Sequence, residues 1–172
     1  AEAIRSIEEI AKVCGGDSAR VEAIRYSVYA LSKRVSAGLS PIGPQWRLCV
    51  LLTAGLCRGG DWERAAEASI EGGADCLQLR EKDLGDRELL ARATRLVEIA
   101  GCVSGSVSVV VNDRPDIALL SGADAVHVGQ GDLTPGAVRT VAGHGMLVGV
   151  STSSIDTAVA AAEAGASSVG LG

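Results

Sequence analysis

Two cations and an amide follow a short apolar run near the middle of the sequence. The two-residue period of an extended strand places Gln78, Arg80 and Lys82 on one face, with Leu77 and Leu79 on the other. Cationic and amide groups that converge at a strand end predict a binding site for an anion. The alternative is a solvated strand end whose charges make ordinary surface salt bridges.

Two carboxylates follow the next two predicted strands. Asp113 comes directly after Asn112 at the end of one strand, and Asp132 follows the end of the next. Carboxylates from two loops, with no cluster of thiolates or imidazoles, are typical of Mg²⁺ bound together with substrate phosphates. Each aspartate could instead cap the helix that follows it, an alternative that suits Asp132 because Leu133-Thr134-Pro135 begins a helix.

Hydroxyl groups end the strand after these. Ser151 lies near a predicted helix start, where its hydroxyl and nearby backbone N–H groups could hold an anion. The alternative role for this serine is a simple helix cap. His127, in the strand before Asp132, is either part of the same site or a hydrogen-bonded histidine of the protein interior.

The elements that position these residues alternate from Arg47 onward. Apolar runs alternate with helical patterns, which predicts a parallel sheet, and helix ends of the type Gly-Ala-Asp or Gly-Ala-Ser recur before the strands. This recurrence favours a (β/α)8 TIM barrel, whose functional groups lie at the carboxyl ends of the strands. The predicted strands are 48–52, 75–80, 107–112, 125–128, 147–150 and 168–171; the predicted helices are 62–71, 86–100, 115–120, 134–142 and 155–164.

The first 40 residues differ in pattern from the rest. Apolar residues recur there at spacings of three and four, and Gly15-Gly16 divides the segment, which predicts a helical hairpin. We therefore expect a helical extension at 1–40, a linker at 41–46 and an α/β barrel domain at 47–172. Six strands are fewer than the eight of a complete barrel, so we expect these residues to be part of a longer protein.

Composition excludes several functional classes. Of 172 residues, 47% are hydrophobic and 22% are charged, which is too apolar for a disordered chain. The net charge of −5 excludes a general basic surface for nucleic acid, and no apolar run is long enough to span a membrane. The N-terminus has no signal-peptide pattern, and the five cysteines have no zinc-site spacing. We expect a cytoplasmic protein that acts on small molecules.

In order and spacing, these segments resemble the thiamin phosphate synthase (thiamine-phosphate pyrophosphorylase) family over residues 47–172. The segment that begins at Val111 and the one that ends at Leu133 are the most specific of the matching motifs. The helical segment 1–40 is similar to an N-terminal extension of some members. The matching segments read Gln-Leu-Arg-Glu-Lys (78–82), Val-Asn-Asp-Arg-Pro-Asp-Ile-Ala (111–118), Gly-Ala-Asp-Ala-Val-His-Val-Gly-Gln-Gly-Asp-Leu (122–133) and Gly-Val-Ser-Thr (149–152).

The resemblance implies an enzyme that joins two substrates and releases pyrophosphate. One is 4-amino-5-hydroxymethyl-2-methylpyrimidine diphosphate and the other is 4-methyl-5-(2-phosphooxyethyl)thiazole. It further implies that the reaction passes through a pyrimidine-methyl cation and that no general base is needed. By the same resemblance, Mg²⁺ is held by Asp113 and Asp132, Arg80 and Ser151 are catalytic, and the substrate contacts come from Gln78, Arg80, Lys82, Asn112 and Ser151.

The sequence also departs from the family pattern. Ser153 stands where the family usually has histidine, and Gly131 stands where it often has glutamate. A lysine-bearing segment after the sixth strand and the thiazole-phosphate loop are absent from these residues, so we expect no turnover from the isolated 172-residue polypeptide. The alternatives are a thiazole tautomerase on the same fold and a non-catalytic barrel that binds thiamin precursors. In any of these, the N-terminal helices could support a homo-oligomer.

Overall fold

The computed structural model describes residues 2–38, 46–103 and 107–171, and the chain divides into two compact units, Ala1–Ser40 and Pro41–Gly172. Apart from Trp46, the predicted linker lies outside the described residues. In the described ranges, no helix is both long and apolar enough to cross a bilayer.

The first unit is a pair of helices, as predicted. Helix α1 covers Glu2–Val13 and helix α2 covers Ser18–Gly38, whose first turn is capped by the Asp17 carboxylate. Glu8 of α1 forms ion pairs with Lys12 at 2.9 Å and with Arg25 of α2 at 2.7 Å. These two cations hold the pKa of Glu8 below its usual value, so charge pairing joins the two helices.

The described part of the second unit contains six parallel strands in sequential order, which confirms the predicted architecture. Sequential order without a reversal distinguishes this curled half-barrel from an open doubly wound sheet. The strands are β1 (Cys49–Leu52), β2 (Cys76–Leu79), β3 (Ser108–Asn112), β4 (Ala125–Val128), β5 (Leu147–Thr152) and β6 (Ser168–Leu171). The helices are α3 (Trp62–Glu71), α4 (Asp86–Val103), α5 (Pro115–Ser121), α6 (Pro135–Ala142) and α7 (Ile155–Glu163).

The two faces of the sheet pack differently. Alternate strand residues such as Leu77, Leu79 and Val111 are buried against the helices in the main apolar core. The opposite face carries a smaller cluster of Cys76, Val110, Ala125 and Leu147, against which Trp46 packs. The side-chain period of two therefore separates a helix-facing core from an inner face, which leaves the inner positions at the strand ends available for polar groups.

The recurring turns before the strands have a structural role. The Asp75 carboxylate, before β2, accepts the backbone N–H of Leu48 at 3.0 Å. Asp124, before β4, accepts the N–H of Val109 at 2.8 Å, and the Ser167 hydroxyl, before β6, accepts the N–H of Val148 at 3.2 Å. Each turn thus satisfies a donor at the start of the preceding strand and fixes the register of that pair.

We predict that Asp124→Ala lowers the free energy of unfolding by about 1–3 kcal/mol, because the N–H of buried Val109 loses its acceptor. Asp124→Asn is the matched control, since its amide oxygen can accept the same bond, and it should cost less than half as much. Urea denaturation followed by circular dichroism measures both. Equal stability of wild type and Asp124→Ala would contradict the role of the turn.

Candidate active site

Strand register brings the predicted site residues to one edge of the sheet. Leu79 pairs with Val111, Asn112 pairs with His127, and Val128 pairs with Val150. Because all strands run in the same direction, the residues that follow them share the carboxyl-terminal rim. The rim contains Gln78, Arg80, Lys82, Asn112, Asp113, Asp132 and Ser151.

Two of these rim residues, Gln78 and Asn112, form a pair of amides beneath the charged side chains. Gln78 is buried on the inner face, and its side-chain nitrogen donates to the side-chain oxygen of Asn112 at 2.9 Å. Leu77 and Leu79 point to the opposite face, as the alternation predicts. The hydrogen bond fixes both amides in orientation and joins β2 to β3 beneath the charged residues.

Asp113 occupies an unusual backbone conformation. Its φ of 64° is the one positive value among the described non-glycine residues. The left-handed region is disfavoured for residues with a side chain, and such strain concentrates at functional sites. The Asp113 N–H donates to the carbonyl of His127 at 2.8 Å, which ties the turn to β4. Arg114, not Asp113, is the cap residue of α5, so the capping alternative for Asp113 is wrong.

Asp132 is held by a local turn. Its Oδ2 accepts the backbone N–H of Gly129 at 2.7 Å. Thr134 caps α6, with its hydroxyl accepting the N–H of Ala137 at 3.3 Å, so the capping alternative for Asp132 is also wrong. The carboxylate is therefore fixed at the rim by its own loop and makes no cap bond to α6.

The two carboxylates lie next to each other. Burial and the adjacent negative charge of Asp132 raise the pKa of Asp113, whereas the positive charges of Lys82 and Arg80 oppose that rise. The structure therefore brings two carboxylates and two cationic side chains together from three neighbouring strand ends. A bound cation would relieve the repulsion between the carboxylates, and a bound anion would be attracted to the arginine and the lysine.

The donor set fits a cation that is shared with a bound phosphate. Within the described ranges, no group of three or more His, Cys, Asp or Glu side chains could hold a metal ion without further ligands. Two carboxylates plus phosphate oxygens are a usual environment for Mg²⁺, which prefers oxygen and retains part of its water shell. Asp113 and Asp132 are therefore suited to Mg²⁺ that arrives with a diphosphate.

Ser151 is fixed from two sides. Its hydroxyl hydrogen-bonds Nε2 of His127 at 2.8 Å, and its carbonyl accepts the side-chain amide of Gln130. β5 extends to Thr152, and the cap of α7 is Ser154, so the helix-cap alternative for Ser151 is wrong. The serine lies within β5 beside a histidine and does not begin a helix.

His127 is a hydrogen-bonded interior histidine that also reaches the site. Burial lowers its pKa, which favours the neutral ring. A Cβ on Gly149 would lie 2.5 Å from Nδ1 of this ring, and a Cβ on Gly170 would lie 3.5 Å from its Cε1. The two glycines therefore leave space for the ring on the inner face of β5 and β6.

Two positioning side chains were not assigned to the site from the sequence. The alternation along β4 places His127 on the inner face, but its contact with Ser151 depends on the register between β4 and β5. Gln130 lies in a loop, where no periodicity predicts direction. The one sequence signal that favours both residues as part of the site is their position in the chain between Asp113 and Ser151, because strand ends converge in a barrel.

The model of the family described as thiamine monophosphate synthase matches residues 48–172. The chain belongs to this family. It is 35% identical to a thiamine-phosphate synthase of Rhodopirellula baltica over 177 residues, which cover 99% of this chain and 47% of that protein. It is 39% identical to a thiamine-phosphate synthase of Chloroflexus aurantiacus over 74% of this chain and 57% of that protein. The chain thus spans about half the length of these curated relatives.

Solved structures agree with the family fold. A thiamine phosphate pyrophosphorylase from Pyrococcus furiosus superposes with a TM-score of 0.66 at 27% identity, covering 73% of this chain and 59% of that one. An aldolase superposes with a TM-score of 0.57 at 18% identity, covering 77% of this chain and 71% of that one, which supports the fold alone. The half-barrel described above therefore superposes on a solved thiamine phosphate pyrophosphorylase, and the TIM-barrel prediction is confirmed.

We predict that Gly149→Ala lowers the free energy of unfolding by about 1–3 kcal/mol, because the new methyl group displaces the His127 ring. Gly136→Ala in α6 is the matched control, since nothing lies within 4 Å of its Cβ, and it should leave stability unchanged or higher. Chemical denaturation compares the two. A Gly149→Ala protein as stable as the control would show that the ring does not need this space.

Proposed function

We propose that this protein is a thiamine-phosphate synthase. The observation that carries the proposal is the rim itself, where Arg80 and Lys82 lie beside the paired carboxylates of Asp113 and Asp132 in a member of this family. Its substrates would be 4-amino-5-hydroxymethyl-2-methylpyrimidine diphosphate and 4-methyl-5-(2-phosphooxyethyl)thiazole, and its products thiamin phosphate and pyrophosphate. The names of the curated relatives support the same activity.

The charged residues have complementary tasks in this reaction. Asp113 and Asp132 would hold Mg²⁺ through their carboxylate oxygens, and Arg80 and Lys82 would bind the diphosphate. When bound, Mg²⁺ supplies positive charge that neutralises the leaving pyrophosphate. Arg80 would contribute to catalysis by binding the oxygens on which negative charge accumulates as the bond breaks.

The amides and the serine orient the organic part of the substrate. Gln78 and Asn112 lie below the charged rim and are joined by a hydrogen bond, so they present fixed polar groups towards the pyrimidine diphosphate. Ser151 lies across the rim from them, and its hydroxyl is held by His127 on the pyrimidine or pyrophosphate side. Fixed partners of this kind reduce the cost of orienting a bound substrate.

The bond changes require electrostatic stabilisation and no base. The bond between the pyrimidine methylene carbon and the diphosphate oxygen breaks, and pyrophosphate leaves with the electron pair. The aminopyrimidine ring delocalises the resulting positive charge until the thiazole nitrogen donates its lone pair to that carbon. This nitrogen carries no proton to lose, so a rim of Arg, Lys and Asp suffices.

The proposed activity also indicates where the protein acts and what it binds. We infer a cytoplasmic protein whose partners are the two small-molecule substrates, without nucleic acid or membrane. We also propose self-association through the N-terminal helices, because Ile7, Ile10 and Val13 of α1 are exposed on this unit.

We predict that Asp113→Asn and Asp132→Asn each lower Mg²⁺-dependent pyrophosphate release about 100-fold or more, because an amide cannot supply the negative charge that holds Mg²⁺. The measurement is pyrophosphate release by the full-length protein with both substrates. Glu67→Gln, an exposed carboxylate of α3, is the control and should retain wild-type rates. Undiminished release in both aspartate variants would overturn the metal assignment, and no release by wild type would overturn the proposed function.

A further inference from the structure

Glu81 lies in sequence between Arg80 and Lys82, the two proposed diphosphate-binding cations, but its side chain contacts the protein itself. Its side chain is only 9% exposed, and its carboxylate forms an ion pair with Arg92 of α4 at 2.7 Å. The same Oε1 accepts the backbone N–H of Ala54 at 2.8 Å. The carboxylate of this residue is therefore engaged by the protein and is not presented to a substrate.

Arg92 connects Glu81 to the helical layer. Its guanidinium lies over the ring of Trp62 in α3, with 5.6 Å to the ring centroid. The Arg92 side chain is 16% exposed, whereas its second partner, Glu88, is 62% exposed at a distance of 3.1 Å. Arg92 thus pairs with one buried carboxylate, Glu81, and one exposed carboxylate, Glu88. Of the two, only Glu81 also contacts the loop after β1.

The end of β1 and the loop after it are joined to the residues that follow β2 by three hydrogen bonds. The Arg80 N–H donates to the carbonyl of Leu52 at 2.8 Å, and the Thr53 hydroxyl donates to the carbonyl of Arg80 at 2.7 Å. The Ala54 N–H donates to Glu81 and completes the set. Of the three, only this bond depends on a charged side chain, and that side chain depends on Arg92.

We propose that Glu81 is a positioning residue, which holds the backbone of residues 80–82 against the loop after β1 so that Arg80 and Lys82 face the diphosphate. This inference rests on the proposed function. Removal of the Glu81 carboxylate leaves Arg92 with only its exposed partner, Glu88, and leaves the Ala54 N–H without its acceptor, so the strand end relaxes. A displacement of about 1 Å in a group that stabilises the leaving pyrophosphate reduces the rate by up to about 100-fold.

The first test compares two glutamates that share Arg92. In the full-length protein, Glu81→Ala should lower kcat about tenfold or more while KM for the pyrimidine diphosphate rises less than threefold, because the loss falls mainly on the transition state. Glu88→Ala, which removes the exposed partner, should change neither constant more than twofold. Rates are expressed per folded active site, so a loss of folded protein alone leaves kcat unchanged and overturns the proposal.

A second variant removes the other end of the contact without altering charge. Ala54 begins a short 3-10 turn, and Thr53 before it is extended with φ −131° and ψ 115°, so proline fits at position 54 and removes the N–H donor. Ala54→Pro should also lower kcat, by less than Glu81→Ala, because Glu81 keeps its ion pair with Arg92. Wild-type kcat in Ala54→Pro would mean that the loop contact does not position the cations.

Amide hydrogen exchange separates this inference from the proposed function. In Glu81→Ala, the amides of residues 53–60 should exchange at least tenfold faster than in wild type, and in Glu88→Ala they should not change. Unchanged exchange in Glu81→Ala overturns the positioning role whatever the activity. A wild-type protein that releases no pyrophosphate overturns the proposed function, while faster exchange would still show that Glu81 holds this loop.

Discussion

Two carboxylates that repel each other lie side by side at the mouth of this half-barrel, and the rest of the site depends on that arrangement. Burial and the charge of Asp132 raise the pKa of Asp113, so the pair is costly unless positive charge is close. Arg80 and Lys82 provide part of that charge, and Mg²⁺ with a diphosphate would complete it. The repulsion between the two carboxylates costs stability in the free protein. Its relief would contribute to the binding free energy of Mg²⁺ and the diphosphate.

The two carboxylates are held next to each other by hydrogen bonds to the backbone and not by the charges around them. The positive φ of Asp113 is tied to β4 by its bond to the carbonyl of His127, and Asp132 is tied to the N–H of Gly129. Beneath them, the Gln78–Asn112 bond joins two strands. These contacts are all made by the protein's own groups, and fixed groups of this kind stabilise developing charge at low cost because they need little reorganisation.

Local periodicity was sufficient to predict the strands, the helices and the face on which Gln78 lies, because these features depend on residues one to four positions apart. It does not predict that β5 extends past Val150 to include Ser151, or that Ser151 hydrogen-bonds His127, since that contact spans 24 residues and requires the strand register. The role of Glu81 was not predicted for the same reason. Its partner Ala54 lies 27 residues away, and the pattern around residue 81 shows only alternating charge.

The central claim is that the rim binds a diphosphate together with Mg²⁺. Isothermal titration of pyrophosphate into the full-length protein, with and without Mg²⁺, tests this claim most directly. We predict binding that is at least tenfold tighter with Mg²⁺ and that loses this difference in Asp113→Asn, because the metal joins the carboxylates to the ligand. Equal affinity with and without Mg²⁺ in the wild-type protein, or no binding in either condition, would contradict the account.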